Sequence, residues 1–359
     1  MVQYTIRRVL LSIPVLLAIL VVTFTLARLI PGDPCTAILG EKATQESCER
    51  FNREHGLDEP IPVQLGIYMG DILRGDFGES IRFSRPVSVI LIERLPMTIE
   101  LGFSAMFLAV TFGISLGIIS SVRRNSLVDV GTMIGANFGV SMPVFFLGLL
   151  LIYIFAILLK DTPFALPPSG RLSAGNNPVP FYEIYGLEVV EDTTRFFVYE
   201  FISNLYILNA ILTRDWEVFR DAVTHLILPA AALSTIPLSI LARMTRSSML
   251  EVLGQDYIRA ARAKGVPKRK VILKHGLRNA LLPLVTIVGL QMGAILGGAV
   301  LTETIFGLSG VGRAVFEAIT SRDFPIIQGF VVVIAFFYVF FNLLVDISYA
   351  FLDPRIRLD

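Results

Sequence analysis

Lys264 and Gly265 stand side by side in the stretch "DYIRAARAKGVPKRKVILKHGLRNALLP", residues 256 to 283, and invite comparison with a nucleotide-binding loop. Such a loop needs G-x-x-x-x-G-K-[ST], so that glycine amides wrap the phosphates and a hydroxyl reaches the metal. Here the preceding glycine and the following hydroxyl are both missing, and the pattern occurs nowhere else in the chain. ATP hydrolysis by this chain is not expected. Metal chemistry is no better served. His55, His225 and His275 form no ligand spacing, and Cys35 and Cys48 are too few for a disulfide framework. What the stretch does carry is Arg259, Arg262, Lys264, Lys268, Arg269, Lys270, Lys274 and Arg278. Its chemistry is that of charge and docking, not of bond making.

The elements around it are of another kind. Of 359 residues, 54% are hydrophobic and 17% charged, with a mean hydropathy of +0.68. Soluble domains carry about a quarter charged residues, so the deficit marks a membrane protein. With a net charge of +1 and no basic tail, nothing points to nucleic acid. Crossing the hydrocarbon takes about 20 apolar residues in helical form, because lipid tolerates no unpaired backbone groups. Six runs qualify, roughly 9–30, 97–121, 132–158, 223–244, 281–302 and 326–350. Pro229 and Pro237 interrupt the fourth. The first follows Arg7 and Arg8 but is too long for a signal peptide and has no small-x-small cleavage site, so it reads as an uncleaved anchor. The expected fold is an all-α polytopic membrane protein with about six transmembrane helices.

Arginine and lysine near span ends stay on the cytoplasmic side. With the N-terminus inside, the inner segments hold Arg7, Arg8, Arg123, Arg124, Arg243, Arg246, the eight cations above, Arg355 and Arg357, against only Asp129, Glu251, Asp256, Asp353 and Asp359. The rest of the chain is then net acidic. This topology puts both termini in the cytoplasm and leaves two sizeable extracytoplasmic segments, 31–96 and 160–222. Cys35 and Cys48 fall in the first, on the oxidising side, either bridged or as two free thiols. The second joins "LPPSGRLSAGNNPVP" to an amphipathic "FFVYEFISNLYILNAILTRDWEVF" expected to lie along the membrane interface, where lipid is its partner.

Small residues mark helix contacts. Gly131, Gly135 and Gly139 recur every fourth position in the third span, as do Gly289, Gly293 and Gly297 in the fifth; the second adds Gly113 and Gly117. That spacing sets each series on one helical face, where another backbone can approach closely, in static packing or in a moving contact. A carrier driven by protons or sodium would hold carboxylates or histidines at mid-depth. Glu100, His225, Glu303 and Asp346 sit instead near the predicted span ends, where they cost little. Any power for transport must come from another chain.

In the basic stretch, Tyr257, Ala260, Ala261 and Lys264 fall at i, i+3, i+4 and i+7, a narrow face of small side chains, while Arg259 and Arg262 point elsewhere. Gly265 ends that helix and Pro267 opens a second. Three readings compete: a solvated loop that enforces topology, a patch for anionic lipid, and a docking element for a cytosolic protein. The third explains the alanine face and the corner as well as the charge.

The same residues resemble the "EAA" loop of binding-protein-dependent ABC transporter permeases, through Ala260, Ala261, Gly265, Leu282 and Pro283. Arg259 stands where the general pattern has Glu, and Pro283 lies farther from Gly265 than in sugar-type permeases. Both departures look like the oligopeptide/dipeptide/nickel branch, with its "DY-x-R-x-A-R-A-K-G" loop before "R-N-A-x-x-P". The likeness continues in "PGDP" (31–34), "RGDFGESI" (74–81), "RPVSVILIERLPMTIEL" (85–101), "HLILPAAAL" (225–233), "RMTRSSMLEVL" (243–253), "GGAVLTETIF" (297–306) and "DPRIR" (353–357). Residues of about 172–212 match poorly and look like an insertion. The resemblance implies a pore-forming subunit of an importer in the cytoplasmic (inner) membrane of a prokaryote. It would work with a second homologous permease, two cytosolic ATPase subunits that bind ATP and magnesium, and an extracytoplasmic solute-binding protein, and would bind no cofactor itself. The implied organisation is a first segment and span at 1–30, an outer segment at 31–96, and a permease core at 97–359. That core carries a coupling loop at about 245–280. Its coupling residues would be Asp256, Tyr257, Arg259, Ala260, Ala261, Arg262, Lys264 and Gly265, and its solute a peptide, nickel or an oligosaccharide.

Overall fold

The structure is a computed structural model that describes residues 2–29, 35, 43–54, 56, 58–80, 82–189 and 193–352. The "PGDP" and "DPRIR" motifs, His55, Arg355 and Arg357 lie outside them. Among the described residues there are helices and no strand. In chain order these are α1 (Val2–Leu29), α2 (Gln45–Glu54), α3 (Ile61–Leu73), α4 (Val87–Val122), α5 (Leu127–Ser141) and α6 (Val144–Ile152), the last prolonged by a π segment, Tyr153–Leu158. Next come α7 (Phe181–Ile184), α8 (Thr194–Asn204), α9 (Tyr206–Thr213), α10 (Trp216–Leu253), α11 (Asp256–Ala263) and α12 (Lys268–Lys270). A π segment, Val271–Leu277, leads from α12 into α13 (Arg278–Gly298), followed by α14 (Val300–Ile305), α15 (Val311–Ser321) and α16 (Phe324–Leu352).

Five helices are long and apolar enough to cross a membrane unbroken: α1, α4, α10, α12 with α13, and α16. The run expected as a third span is not one rod, because α5 and α6 meet at 101°. The cause is local. Pro143 offers no N–H and pushes the residue before it out of the helical region, and Met142 is extended at φ −90°, ψ 130°. Pro96, Pro229, Pro237 and Pro283 are instead absorbed inside α4, α10 and α13, as membrane helices allow when neighbours re-satisfy the freed carbonyls. The fourth span is therefore longer than expected, 38 residues from Trp216 to Leu253.

The bundle is organised around α4 and α10, whose crossing is set by glycine. A Cβ added at Gly117 would lie 2.5 Å from Thr245 Cβ, and one at Gly113 would lie 2.8 Å from the Leu238 carbonyl oxygen. Around that crossing, Met97, Leu101, Ala105, Leu228, Leu241, Leu284 and Met292 form one buried cluster. A second joins Val87, Ile90 and Leu91 to Val311, Ala314, Ile326 and Phe330, so α15 and α16 close over the start of α4. At the periphery α1 lies on α16, where Arg8 and Asp346 pair at 3.1 Å.

The amphipathic stretch expected along an interface is three pieces. α8 and α9 meet at 95°, and Arg214, in the left-handed region, turns the chain into α10. The poorly matched segment meets α4 around Glu100, which is buried, and Arg171, which is half-buried. Arg171 donates to Glu100 Oε2 at 2.9 Å and to the Asn204 carbonyl at 2.6 Å, with its guanidinium 3.5 Å from the Tyr206 ring centre. The backbone N–H of Ile207 donates to the other Glu100 oxygen at 2.7 Å. Cys35 and Cys48 are joined as a disulfide.

The acids and histidine expected to sit cheaply at span ends are not exposed. Glu100, His225 and Glu303 are all buried. Each is held by partners that satisfy it: Arg171 for Glu100, Asp221 for His225, and Thr98 with the backbone N–H of Arg313 for Glu303. Burial without such partners would cost several kcal/mol, roughly.

Candidate functional site

The basic stretch folds as a helix, a corner and a second helix. The end of α11 satisfies its carbonyls in a specific way: Val266 N–H reaches the Ala261 carbonyl at 3.2 Å and Gly265 N–H reaches that of Arg262 at 3.0 Å. This paired closure needs a left-handed residue just past the helix, the place that glycine fills without a Cβ penalty, and Gly265 has φ +73°. Pro267 follows at φ −55° and starts α12. The corner is backbone-determined, and open space surrounds the position a Gly265 Cβ would take.

Along α11, Ile258 is fully buried and pins the helix to the bundle. Asp256, Tyr257, Arg259, Ala260, Arg262, Lys264 and Gly265 are exposed and Ala261 is half-buried, so the small-residue face is displayed outward. Arg259 pairs with Asp256 on that surface. The Asn279 amide donates to the Tyr257 hydroxyl at 3.1 Å and to the His275 carbonyl at 2.8 Å. Two motif pieces separated in the sequence, "DY" and "RNA", are thus in contact. Neither the anchoring by Ile258 nor this bond is evident in the sequence, although an apolar Ile beside three charged residues is the trace that burial leaves.

Behind the site stands a polar brace. Asp129, buried at the start of α5, accepts from Arg246 Nε and a terminal Arg246 nitrogen, both at 2.8 Å, from the Ser120 hydroxyl, and from the Asn125 N–H at 2.9 Å. It locks the last turn of α4, the α4–α5 turn and α10 together, eight residues before α10 reaches its end at Gly254. In the sequence, Asp129 and Arg246 stand out only as charges beside expected spans.

The two glycine series behave differently. Gly289 and Gly293 face α16, where an added Cβ would lie 1.9 Å from Val345 Cγ2 and 2.4 Å from Tyr338 Cδ2, and Gly297 has Ile334 at 3.7 Å. Gly139 meets Thr235 at 3.2 Å, whereas a Cβ at Gly131 or Gly135 would meet nothing within 4 Å. That face of α5 is open, with Leu127, Ile134 and Phe138 exposed around it. Among the described residues no three His, Cys, Asp or Glu side chains are grouped to hold a metal ion.

Comparison with known sequences decides the family. Residues 113–358 match the profile of the binding-protein-dependent transport system inner membrane component, and residues 1–102 match that of the N-terminal part of such a membrane component. The chain belongs to this family. It is 44% identical over 357 residues to the dipeptide transport system permease protein DppB of Alkalihalophilus pseudofirmus, covering 99% of this chain and 100% of that one. It is 42% identical over 359 residues to the di/tripeptide transport system permease protein DppB of Pseudomonas aeruginosa and to the dipeptide transport system permease protein DppB of Escherichia coli, with 99% of each chain covered. In this family setting the exposed α11 and its corner form the candidate site, carried on a multi-pass bundle of apolar helices.

Proposed function

We propose that the chain is the pore-forming permease subunit of an ATP-binding-cassette importer, moving dipeptides or related short peptides across the cytoplasmic membrane of a prokaryote. The single observation that carries this is full-length likeness to three dipeptide or di/tripeptide permeases, together with a structured, outward-facing α11–Gly265 corner. Its partners are a second homologous permease, two cytosolic ATPase subunits and an extracytoplasmic solute-binding protein. ATP and magnesium are bound and consumed on the ATPase chains; this chain takes no cofactor. Both termini and the α11 corner face the cytoplasm. The 31–96 and 160–222 segments lie outside, where the Cys35–Cys48 disulfide persists in oxidising surroundings.

Asp256, Tyr257, Arg259, Ala260, Ala261, Arg262, Lys264 and Gly265 form the coupling element that an ATPase groove grips. Small side chains let the α11 backbone sit deep in that groove, and closure of the ATPase pair displaces it and rocks the bundle between its two accesses. Gly289, Gly293 and Gly297 pack this chain's own helices, as does Gly139 against Thr235, while the open Gly131 and Gly135 face of α5 receives the second permease. The test is reconstitution in vesicles with and without the ATPase subunits. Dipeptide uptake requires ATP, both permeases and the ATPases; uptake by this chain alone, without nucleotide, would overturn the proposal in favour of a stand-alone carrier.

A further inference from the structure

The inward side of the basic stretch borders a cleft of about 650 Å³. Its walls come from three places: Ser121, Val122 and Arg124 at the end of α4, Leu250 and Leu253 at the end of α10, and Arg262, Val266, Lys268 and Val271 from the α11–α12 corner and beyond. Three cations line it, and no carboxylate does. Among the described residues, Arg124, Arg262 and Lys268 have no carboxylate partner, unlike Arg259, Arg246 and Arg171, each of which is paired. Apart from Ser121, the remaining side chains of the wall are apolar, with Val271 buried and Leu250, Leu253 and Val266 half-buried.

We infer that this cleft binds the phosphate headgroup of an anionic phospholipid, held by Arg124, Arg262 and Lys268, with the first part of an acyl chain on the Leu250, Leu253 and Val266 wall. Depth supports a lipid source. Arg123 and Arg124 immediately follow the apolar run of α4, so the cleft opens where hydrocarbon gives way to headgroups. Basic pockets between membrane helices are suited to such headgroups, and unpaired cations beside an apolar wall match an amphiphile better than a free ion. The eight cations of the stretch thereby divide. Arg259 and Lys264 lie outward on α11, while Arg262 and Lys268 turn to the cleft. The inference does not rest on the coupling role, since a lipid site serves any membrane protein.

The test uses the purified full chain in a neutral detergent, with native mass spectrometry of retained phosphatidylglycerol against phosphatidylcholine. One phosphatidylglycerol is expected to be retained preferentially, and each of Arg124→Gln, Arg262→Gln and Lys268→Gln to weaken it about fivefold, the effect of removing one surface cation. Lys270→Gln, Lys274→Gln and Arg278→Gln, combined in one variant, lower the charge of the same stretch without touching the cleft and are expected to leave retention unchanged. Equal loss in that control variant would mean diffuse attraction and overturn the site. Displacement of the lipid by millimolar inorganic phosphate would overturn the lipid source, and unchanged retention in a variant combining Arg124→Gln, Arg262→Gln and Lys268→Gln would overturn the site. Should a variant with only Arg124→Gln and Lys268→Gln, which leaves the coupling element intact, retain lipid yet fail to co-purify with the ATPase, the cleft belongs to a protein partner instead. A monodisperse, helical elution profile is required of every variant, so that loss of fold is not read as loss of binding.

Discussion

Thr98 and Glu303, 205 positions apart, meet through a 2.7 Å hydrogen bond from the hydroxyl to carboxylate Oε1. Thr98 Oγ1 in turn accepts from Val311 N–H at 2.9 Å, and Glu303 Oε2 accepts from Arg313 N–H at 2.8 Å. A side chain of α4 and one of α14 therefore cap the N-terminus of α15 together, at the end where helix N–H groups lack partners. Gly310 and Gly312 admit the carboxylate: an added Cβ at Gly310 would lie 2.3 Å from Oε1.

Burial pushes the Glu303 carboxyl up from the ordinary 4.5 to about 7, against the opposing pull of the Arg313 and Gly312 N–H groups and of Thr98. The folded state then holds a proton more tightly than the unfolded chain. Stability from this group is fully present below about 4.5, and it is lost as pH rises through about 7. The thermal midpoint of the purified chain is expected to fall between about pH 5 and 8. Glu303→Gln should flatten that slope, because nothing remains there to titrate; an unchanged slope would place its origin elsewhere.

The Arg171–Glu100 pair predicts an asymmetry between single and double changes. Arg171→Ala leaves a buried carboxylate unpaired and is expected to cost about 3–5 kcal/mol in equilibrium unfolding. Replacing both partners together, as Glu100→Gln with Arg171→Met, should cost clearly less. Calorimetry of the two variants against the unchanged chain measures the difference, and local proteolysis of the 172–212 region reports whether α8 and α9 come loose.

At the corner, Gly265→Ala puts a Cβ on a left-handed residue and is expected to lower stability by roughly 1 kcal/mol. Gly265→Trp adds bulk on the exposed side, with open space around it. The variant should insert normally and hydrolyse ATP with its partners while uptake fails. Normal peptide uptake would count against the coupling role.

Tyr257→Phe removes the hydroxyl that Asn279 donates to, a loss of about 0.5–1.5 kcal/mol, leaving Ile258 as the main anchor of α11. Uptake should fall with ATPase binding nearly intact, because the helix is present but held less firmly. Pull-down and uptake assays on the same preparation separate the two.

Cys35→Ser or Cys48→Ser opens a loop with a sequence separation of 13, which costs on the order of 3 kcal/mol of local stability. In whole cells, a membrane-impermeant maleimide should label these thiols only after mild reduction. Labelling without reduction would refute the bridge, and labelling only after cell lysis would refute its outward placement.

How much of this was legible depends on what decides each feature. The spans were visible because lipid dictates both length and composition, and the Gly265–Pro267 corner was visible because two residues with restricted backbones punctuate it. The 101° break at Met142 was not, since Pro143 looks in the sequence like Pro229 or Pro237, and only the packing of α10 along α4 distinguishes a tolerated proline from a helix-ending one. In the sequence, Glu303 is an inexpensive residue near a span end. Its burial rests on Thr98, in a helix two hundred residues earlier, which no local pattern reveals. The Asn279–Tyr257 bond escaped for the same reason on a smaller scale, because a π segment resets the helical phase between the two partners.

α10 passes without a break from Asp215, next to the inserted α8–α9 elbow, to Gly254, two residues before the start of α11. At 1.5 Å per residue it is a rod of roughly 57 Å, with Arg246 clamped sideways near one tip and Asp221 holding Ser173 and Asn176 near the other. The helix is continuous between the two ends, and Pro229 and Pro237, which each remove one of its backbone hydrogen bonds, mark where the rod flexes first under a load on its last turn.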